Sequence, residues 1–469
     1  MTREGERMSQ TSDVNVAELI EGQKLGRFAI GLITVSWLVT FLDGYDMTVI
    51  SFTAKYLSSD FHLTKLMMGN VFSIGIFGTL IGGLAFGYLG DRIGRRPSIV
   101  ISTAAFSLLT SAIALAHSYP QLLVLRLVNG VALGGAIPLI WALTVEYAPR
   151  RLRARVITLI MLGYGLGAGL CGPLARMLIP HFGWQGVFWF GGAASLAATL
   201  LLLAFLPESV RFLTSKGAPP QRVARALARM APGFVPPPNP RFLCLDEAAT
   251  AETFRPSMLF RGELRLITPL LWAAFISSSL ATYFLTTWGP SVLQDMGFSA
   301  DNAAWLTAAN SLCGMAGALT IMNFTDRKGA ISIAALPLVA MPLLLLAGLA
   351  PIGLGVFLAL SLCLSLFLGG EHYAIQSIIS GFYPSNLRAS GSGWAGSVAK
   401  VGSISAPLIG GAVLSTHLPV RQTYALLAIC PAAFLVCVVM IGLIDRRLRR
   451  AGAPEGAASG PQGSAVAAE

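Results

Sequence analysis

The sequence is poor in charged residues, since Asp, Glu, Lys and Arg together make up only 12% of its 469 residues. Soluble globular proteins usually contain about 25% charged residues. In addition, 54% of this chain is hydrophobic and its mean hydropathy is +0.69. A composition this apolar excludes an ordinary soluble domain and predicts a membrane protein.

Cysteine and histidine are also scarce, with six and five residues respectively. Five cysteines fall within long apolar runs, and Cys244 lies in a polar segment, so their spacing indicates neither a disulfide framework nor a metal site. The glycine-rich stretches lack the Gly-Lys-Ser/Thr ending of a phosphate-binding loop, and no Ser-His-Asp set stands out. We therefore expect no metal, no cofactor and no enzymatic activity.

Long apolar runs, by contrast, are abundant. A helix needs about 20 apolar residues to cross a hydrocarbon layer about 30 Å thick. Twelve runs meet this requirement: 28–50, 68–90, 98–117, 120–145, 156–180, 184–206, 266–290, 302–323, 331–350, 352–378, 389–414 and 422–443. The sequence therefore predicts an all-α membrane protein with twelve spans, the first of them retained as an anchor because residues 1–27 are polar.

The basic residues are distributed unevenly between the two sides of these spans. Most of the 33 lysines and arginines lie on the side of both termini. The opposite side has Lys55, Lys65, Arg176 and Arg421, and two more cations, Arg126 and Lys400, fall inside apolar runs. Loops rich in Lys and Arg stay in the cytoplasm, so we expect both termini there. The net charge of +11 is then a consequence of topology, not a sign of nucleic-acid binding.

Two separated motifs recur at one offset along the chain. Gly82 and Asp91-Arg92 recur as Gly317 and Asp326-Arg327, and Pro149 to Arg153 recur as Pro384 to Arg388, each 235 positions later. Six spans per copy give both copies the same orientation, which predicts a parallel six-plus-six repeat. We expect a cytoplasmic segment 1–27, a six-helix bundle 28–206, a cytoplasmic linker 207–264 with amphipathic pieces, a second bundle 265–445 and a cytoplasmic tail 446–469.

Three segments resemble the major facilitator superfamily of membrane transporters: GYLGDRIGRR, RLVNGVALGGAIPLIWALTVEYAPRRLR and PESVRFL. The resemblance covers nearly the whole chain and implies the major facilitator fold. It also implies a cytoplasmic gate, which would comprise Asp91, Arg92, Arg95, Glu146, Arg153, Asp326 and Arg327. The simpler alternative is that these arginines only enforce topology.

Two carboxylates in the segment FLDGYDMTVI lie within the first span. At 1.5 Å per residue, Asp46 is about 7 Å and Asp43 about 11 Å from its outer end, and Arg126 is about 9 Å inside the fourth span. A carboxylate in the bilayer faces a cavity, pairs with a cation or is protonated. One interpretation is a structural ion pair between Arg126 and one of the two carboxylates. The other is a functional site, which we favour because such a pair would leave the second carboxylate without a cation.

Asp-Gly-Tyr-Asp at this position resembles the Asp-Gly-x-Asp of the aromatic acid:proton symporter branch, which imports aromatic carboxylates such as 4-hydroxybenzoate. The resemblance implies that Asp43 and Asp46 act in proton coupling and that Arg126 binds substrate. The beginning of the eleventh span, FYPSNLRASGSGW, also resembles that branch. Arg388 and Trp394 in this segment are therefore further substrate-binding candidates. Where the branch often has an arginine in this helix, the present chain has Lys400.

Further polar residues interrupt the spans of the second half. Lys400, near the middle of its span, is neutral, paired or a ligand for an organic anion. Glu371 and His372 form a second candidate proton site, although a lone membrane histidine also serves as a packed polar group. Tyr283 and Thr287 are substrate-binding candidates. Alternatively, their segment is part of an aromatic belt at the membrane–water interface.

The sequence predicts a secondary active transporter that couples uptake of an aromatic carboxylate to protons by rocking its two halves. The expected partners are a small organic anion, protons and the lipid bilayer of the inner membrane, with no nucleic acid and a monomeric chain. Transport of a sugar, of a non-aromatic organic acid or of an exported drug is the alternative, although Arg126 and Lys400 suit neither a sugar nor a cationic drug. A membrane sensor is disfavoured because no segment is large enough for a signalling domain.

Overall fold

The computed structural model describes residues 12–22, 26–231, 233–234, 236–237, 240–243, 255–328, 333–383, 387–416 and 418–451. The first half contains β1 (Ser12–Asn15), α1 (Val16–Glu21), α2 (Arg27–Asp60), α3 (Lys65–Ile93), α4 (Arg95–Ile113), α5 (Tyr119–Glu146) and α6 (Arg150–Phe205). Between the halves lie α7 (Val210–Ser215), α8 (Pro220–Met230) and β2 (Pro240–Leu243). The second half contains α9 (Leu264–Asp295), α10 (Ala300–Lys328), α11 (Ala335–Leu349), α12 (Leu354–Phe382), α13 (Arg388–Leu414), α14 (Gln422–Leu427) and α15 (Ile429–Ala451).

Most of the predicted spans coincide with these helices to within a few residues, but α2 continues beyond residue 50, the predicted end of the first span, to Asp60. Spans 5 and 6 both lie in α6, where Gly183 (φ 66°) interrupts the helical backbone. Span 12 comprises α14 and α15 together. Among the described residues, nine helices are long and apolar enough to cross a membrane; α10 is not one of the nine, and α11 is apolar but shorter. The helices therefore account for all twelve predicted spans.

Local sequence signals set the helix ends on the two sides of the first half. The Thr64 hydroxyl accepts a hydrogen bond from the Met67 amide at 3.2 Å and caps α3. Pro120 occupies the first turn of α5, where its missing N–H costs no helical hydrogen bond. Gly94, at φ 108°, separates α3 from α4 in a conformation that residues with a side chain rarely adopt. This turn carries the basic motif that follows α3.

The 235-residue repeat extends to the packing of the helices. At several glycines, a side chain would run into the backbone of a neighbouring helix, as expected where small residues let membrane helices approach closely. The same contacts occur in both halves, at positions that differ by 235 residues. Gly82 contacts Val131 in the first half, and Gly317 contacts Leu366 in the second. Likewise, Gly167 contacts Phe41 and Gly402 contacts Ile276. The helices at these contacts are therefore arranged in the same way in both halves.

The two halves, α2–α6 and α9–α15, are in contact at one end and separated at the other. At the closed end, Lys65 Nζ lies 2.6 Å from Asp295 Oδ2, and Gly69 lies directly against the Pro407 carbonyl. At the opposite end of α3 and α13, a Cβ added at Gly87 or Gly393 would meet no other described atom within 4 Å. The structure therefore has a closed end, at Lys65, and an open end, at Arg95.

Segments outside the spans gather at the open end of the first half. β1 pairs in parallel with β2, so that Ser12 lies opposite Pro240 and Asn15 opposite Leu243. α8 buries Val223 and Leu227 against the first half, as an amphipathic helix does. The prediction of amphipathic pieces in the linker is confirmed, whereas the two-stranded sheet was not predicted. Short strands 225 residues apart carry no local signal of their pairing.

The contact between Gly82 and Val131 leads to a test of stability. We expect Gly82→Ala to lower the free energy of unfolding by about 1–3 kcal/mol, because its methyl group would overlap the Val131 backbone and push α3 away from α5. Gly83→Ala is the matched control, since its Cβ would lie 3.6 Å from the Gly134 carbonyl, an ordinary contact distance. Thermal unfolding of both purified variants in detergent checks the expectation, and equal midpoints would contradict it.

Candidate functional site

Asp46 is at the centre of a buried polar network inside the first half. Its carboxylate lies 3.3 Å from Arg126 Nη1 and accepts hydrogen bonds from the Thr110 hydroxyl at 3.2 Å and from the Asn129 amide at 3.3 Å. Only 1% of Asp46 and 3% of Arg126 is exposed. The ion pair that the sequence left open as one interpretation is therefore present between Asp46 and Arg126. In this conformation, the pair is enclosed within α2, α4 and α5.

Asp43, one turn earlier on α2, faces a different environment. Three residues turn a helix by about 300°, which leaves the two carboxylates about 60° apart. Asp43 is only partly buried, and it interacts electrostatically with Asp46 and, across the boundary between the halves, with Lys400 on α13. The Lys400 ammonium donates a hydrogen bond to Thr79 on α3 at 2.9 Å. Lys400 therefore connects the second half to the first near the middle of both helices.

Three tyrosines form a cluster beside Asp43, and two of them were not among the predicted site residues. Tyr164 on α6 and Tyr283 on α9 are electrostatic neighbours of each other, and both interact electrostatically with Asp43. Tyr373 on α12 interacts electrostatically with both phenols. Of these three tyrosines, only Tyr283 was predicted from the sequence to bind substrate. Tyr164 lies in a glycine-rich segment and Tyr373 directly after His372, so neither had a spacing signal of its own.

A cavity of about 170 Å³ lies between the two halves and is lined in part by Tyr164 and Tyr373. The described residues that line it include no charged side chain, and its polar groups are hydroxyls and one side-chain amide. They are Thr48, Tyr164, Thr282, Thr286, Thr307, Asn310, Ser311, Ser361, Ser365, Tyr373 and Tyr424. The cavity therefore combines hydroxyl groups and ring faces, while the charged pair Asp43 and Lys400 lies beside the tyrosines and outside its lining.

The polar pair on α12 lies apart from Asp43, within the second half. The Glu371 carboxylate is 1% exposed, and neither of its oxygens has a hydrogen-bond partner among the described residues. His372 Nδ1 lies 3.1 Å from the Ser278 hydroxyl, and its ring packs beside Phe275. Cys430 is an electrostatic neighbour of Glu371. The structure does not bring this pair together with the acids of α2.

The remaining predicted ligands are spread along the second half. Thr287 donates its hydroxyl hydrogen bond to the Tyr283 carbonyl one turn earlier, at 2.6 Å, so the hydroxyl is occupied by its own helix. Trp394 is stacked on Trp272, with ring centroids 6.4 Å apart. Arg388 begins α13, about 18 Å along the helix from Lys400, and is exposed at the open end. Trp394 and Arg388 therefore lie on the side from which the centre is reached.

The predicted gate residues of the first half cluster at the open end. Glu146 forms an ion pair with Arg95 and accepts a hydrogen bond from the Ser209 hydroxyl at 2.5 Å. Arg153, at the other end of the same short loop, donates a hydrogen bond from Nε to the Ala148 carbonyl at 3.1 Å. In this conformation, Glu146 is therefore bound to α4 and to the linker, and the Glu146–Arg153 pair is not formed.

The other gate residues make no described contact between the halves. Asp91 is exposed, and the Arg92 guanidinium lies over the Tyr88 ring, 4.9 Å from its centroid. Their counterparts in the repeat, Asp326 and Arg327, belong to α10, but their side chains lie outside the described residues.

The four cations predicted on the other side of the membrane all have partners near the closed end. Lys55 and Lys65 form ion pairs with Asp295, and Arg176 forms one with Asp301. Arg421 donates hydrogen bonds to the carbonyls of Ala347 and Ile352.

Comparison with known proteins agrees with this architecture. Residues 36–324 and 270–466 match the profile of the Major Facilitator Superfamily. The chain belongs to the major facilitator superfamily. It is therefore a multi-pass membrane transporter with twelve helices in two six-helix repeats, and not an enzyme.

Two relatives in this superfamily match over almost their entire length. A gallate transporter from Pseudomonas putida is 34% identical over 93% of this chain and 96% of its own sequence. A 4-hydroxybenzoate transporter from Acinetobacter baylyi is 30% identical over the same shares of the two sequences. Among solved structures, the xylose transporter XylE from E. coli, in a partially occluded inward open conformation, aligns with a TM-score of 0.68 at 17% identity, covering 90% of this chain and 98% of its own.

The enclosed pair of Asp46 and Arg126 leads to a test of its structural contribution. We expect Asp46→Asn to lower the free energy of unfolding by about 3–5 kcal/mol, because it leaves the Arg126 guanidinium buried without a counter-charge. The control is Asp301→Asn, which removes the half-exposed ion pair with Arg176 and costs at most about 1 kcal/mol. Thermal unfolding in detergent measures both effects.

A double variant separates loss of the pair from loss of a side chain. Asp46→Asn combined with Arg126→Met removes both charges, and it should recover most of the stability lost in the single variant. If Asp46→Asn unfolded at the wild-type midpoint, the pair would make no structural contribution in the folded protein.

Proposed function

We propose that this transporter imports an aromatic carboxylate together with protons, across the inner membrane, by alternating access. Its relatives named as gallate and 4-hydroxybenzoate transporters support the substrate class. The observation that carries the proposal is the arrangement of Asp43 and Lys400, which belong to opposite halves and interact beside a cavity lined by hydroxyls and aromatic rings.

The distribution of basic residues supports the orientation. The open end carries the basic motif after α3 and the arginine-rich α8, and loops with such an excess of Lys and Arg stay in the cytoplasm. We therefore assign the open end and both termini to the cytoplasm and the closed end to the outer side. The bundles 28–206 and 265–445 would rock about the central site, with 207–264 as the cytoplasmic linker between them.

Lys400 would bind the carboxylate of the substrate. In the described conformation, its ammonium donates to Thr79 and is attracted by Asp43, so no other fixed anion competes for it at the centre of the described structure. A substrate carboxylate has to displace this interaction with Asp43. Protonation of Asp43 removes the competing charge, which makes proton binding and anion binding mutually favourable.

We assign the proton to Asp43 and not to Asp46, because the two carboxylates have different neighbours. Asp43 faces Lys400 from α13, the phenols of Tyr164 and Tyr283, and the negative charge of Asp46 on its own helix. Asp46 already has a counter-charge in Arg126 and two further hydrogen-bond donors. In this proposal the two acids act as a coupled pair, with Asp43 accepting the proton and Asp46 maintaining a negative potential beside it.

This assignment also redefines the role of Arg126. Its guanidinium is 3% exposed and directed at Asp46, so in this conformation it does not face the cavity between the halves. We therefore propose that Arg126 acts through Asp46 and not as a direct substrate ligand. The direct ligands would be Lys400, for the carboxylate, and the phenols of Tyr164 and Tyr283.

The aromatic ring of the substrate would occupy the cavity beside the tyrosines. Its volume of about 170 Å³ is close to that of an apolar cavity of about 150 Å³ that holds benzene. Threonine, serine and asparagine side chains on its wall offer partners for ring hydroxyl groups. Arg388 and the Trp394–Trp272 stack, on the cytoplasmic side, would form the exit route for the anion.

The gate and the second acid pair complete the proposal. Asp91, Arg92, Arg95, Glu146, Arg153, Asp326 and Arg327 would close the cytoplasmic end in the outward-facing conformation, when the halves approach there. The Glu146–Arg95 pair described here lies within one half, so new contacts must form between the halves on closure. Glu371, with His372, would provide a second proton site inside the second half.

Uptake into proteoliposomes tests the proposed function. With an inward-directed proton gradient, we expect the protein to accumulate radiolabelled 4-hydroxybenzoate or gallate and to leave xylose outside. Asp43→Asn should reduce accumulation to the level reached without a gradient, because the proton carrier is lost, while exchange of internal for external substrate continues.

Asp43→Asn thus separates coupling from binding. Its control is Asp301→Asn, which removes a carboxylate of an exposed ion pair near the closed end and should accumulate substrate like the wild type. Accumulation by Asp43→Asn at the wild-type level would refute proton coupling through Asp43. Failure of the wild-type protein to take up any aromatic acid in the panel would refute the substrate class.

A second prediction concerns the substrate carboxylate. Lys400→Ala should weaken binding of 4-hydroxybenzoate by about 10- to 100-fold, since it removes a charge-assisted hydrogen bond. Lys400→Arg should retain part of the affinity, because it keeps the positive charge. Isothermal titration calorimetry of the purified variants measures the dissociation constants, and unchanged affinity in Lys400→Ala would show that Lys400 only holds the two halves together through Thr79.

A further inference from the structure

A second pocket, of about 690 Å³, lies at the open end of the first half, far from the central site. It is bounded by the start of α4, the end of α6, and the two linker helices α7 and α8. One side is cationic and the other is apolar. This combination has no part in the transport mechanism above.

The cationic side is a stripe of arginines on α8. Arg222, Arg225 and Arg229 follow one another at intervals of three and four residues, which places them on one face of the helix. Val223 and Leu227 lie on another face and are buried against the first half. Burial of this apolar face holds α8 in place, so the arginine stripe has a defined position over the pocket.

No fixed anion neutralises this stripe among the described residues. The one carboxylate that lines the pocket belongs to Glu208. Its Oε1 accepts hydrogen bonds from the backbone N–H groups of Arg95 at 2.9 Å, Arg96 at 3.2 Å and Ser209 at 2.9 Å. Arg96 directs its guanidinium to the Leu203 carbonyl, at 2.8 Å. The three arginines of α8 have no ion-pair partner in the described part of the chain.

The other side of the pocket consists of apolar side chains at the cytoplasmic ends of two spans. Ile93, Ile101 and Leu203 line it, and Ile101 and Leu203 are 48% and 47% exposed. They continue the outer surface of α4 and α6, which faces hydrocarbon in a membrane. The pocket therefore joins a cationic site, at the level of the phospholipid headgroups, to a surface suited to acyl chains.

We propose that this pocket binds one anionic glycerophospholipid of the cytoplasmic leaflet. Arg222, Arg225 and Arg229 hold the phosphate, because guanidinium groups match phosphate oxygens in charge and in hydrogen-bond geometry. The acyl chains lie along Ile101 and Leu203. A free phosphate would use only the cationic side and leave the apolar wall without a partner. The proposal uses the assigned orientation but neither the substrate nor proton coupling, so the two can fail independently.

Native mass spectrometry of the purified transporter in detergent tests the proposal. We expect the wild-type protein to bind one dioleoylphosphatidylglycerol with at least about tenfold higher affinity than dioleoylphosphatidylcholine, since basic residues near an anionic headgroup act additively. The triple variant Arg222→Gln, Arg225→Gln, Arg229→Gln should lose this preference. The corresponding triple Lys variant should keep part of it, because the positive charges remain.

The matched control removes three other exposed arginines from the linker side of the second half. Arg255→Gln, Arg261→Gln and Arg265→Gln together change the net charge equally but lie outside the pocket, so this variant should bind phosphatidylglycerol like the wild type. If the control variant lost as much affinity for phosphatidylglycerol as the pocket variant, binding would depend only on general surface charge, and the proposal would be overturned. Size-exclusion profiles and thermal midpoints confirm that each variant is folded.

A competition experiment distinguishes the two sources of phosphate. Inorganic phosphate at millimolar concentration should not displace phosphatidylglycerol from the wild-type protein. Displacement by inorganic phosphate, together with its binding to the wild type and not to the Gln variant, would make this a site for a soluble anion and refute the lipid. Equal affinity for phosphatidylglycerol and phosphatidylcholine would refute recognition of an anionic headgroup.

Discussion

The cost of placing charges among apolar helices governs the centre of this protein. A buried carboxylate or ammonium needs a counter-charge, hydrogen-bond donors or water. Asp46 meets this requirement completely within the first half, through Arg126, Thr110 and Asn129. For Asp43, the attracting charge lies in the other half, on Lys400. One carboxylate therefore stabilises a bundle, whereas the energy of the other depends on how the two bundles are placed.

Close backbone packing makes each half a rigid unit for this purpose. Gly82 and Gly317 admit the Val131 and Leu366 backbones at equivalent positions of the repeat, so α3 lies against α5 as α10 lies against α12. The contacts between the halves combine close packing, as of Gly69 against the Pro407 carbonyl, with ion pairs such as Lys65–Asp295 and single hydrogen bonds such as Lys400–Thr79. Partly exposed ion pairs contribute little free energy, so they can break and re-form while each bundle stays intact.

Much of the fold was predictable because apolar runs, basic loops and a 235-residue repeat are properties of the linear sequence. Span boundaries were less accurate where helices continue through a loop, as at Gly183, or into the aqueous phase, as at Asp60. In the candidate site, Asp43, Asp46, Arg126, Tyr283 and Lys400 were identified because ionisable or aromatic groups stand out in an apolar run. Tyr164 and Tyr373 were missed because a tyrosine in a span has many ordinary roles, and the chain does not show which rings meet.

By itself, the sequence determined that this protein spans a membrane twelve times in two similar halves and that acids and cations occur at matching depths. Depth along a helix follows from counting residues, because the rise per residue is constant. Only the tertiary structure decided how these charges are paired: Arg126 with Asp46, Lys400 with the Thr79 hydroxyl, and Glu146 with Arg95. Pairing depends on the rotation of each helix about its axis and on which helices are neighbours, and both are set by long-range packing of small residues.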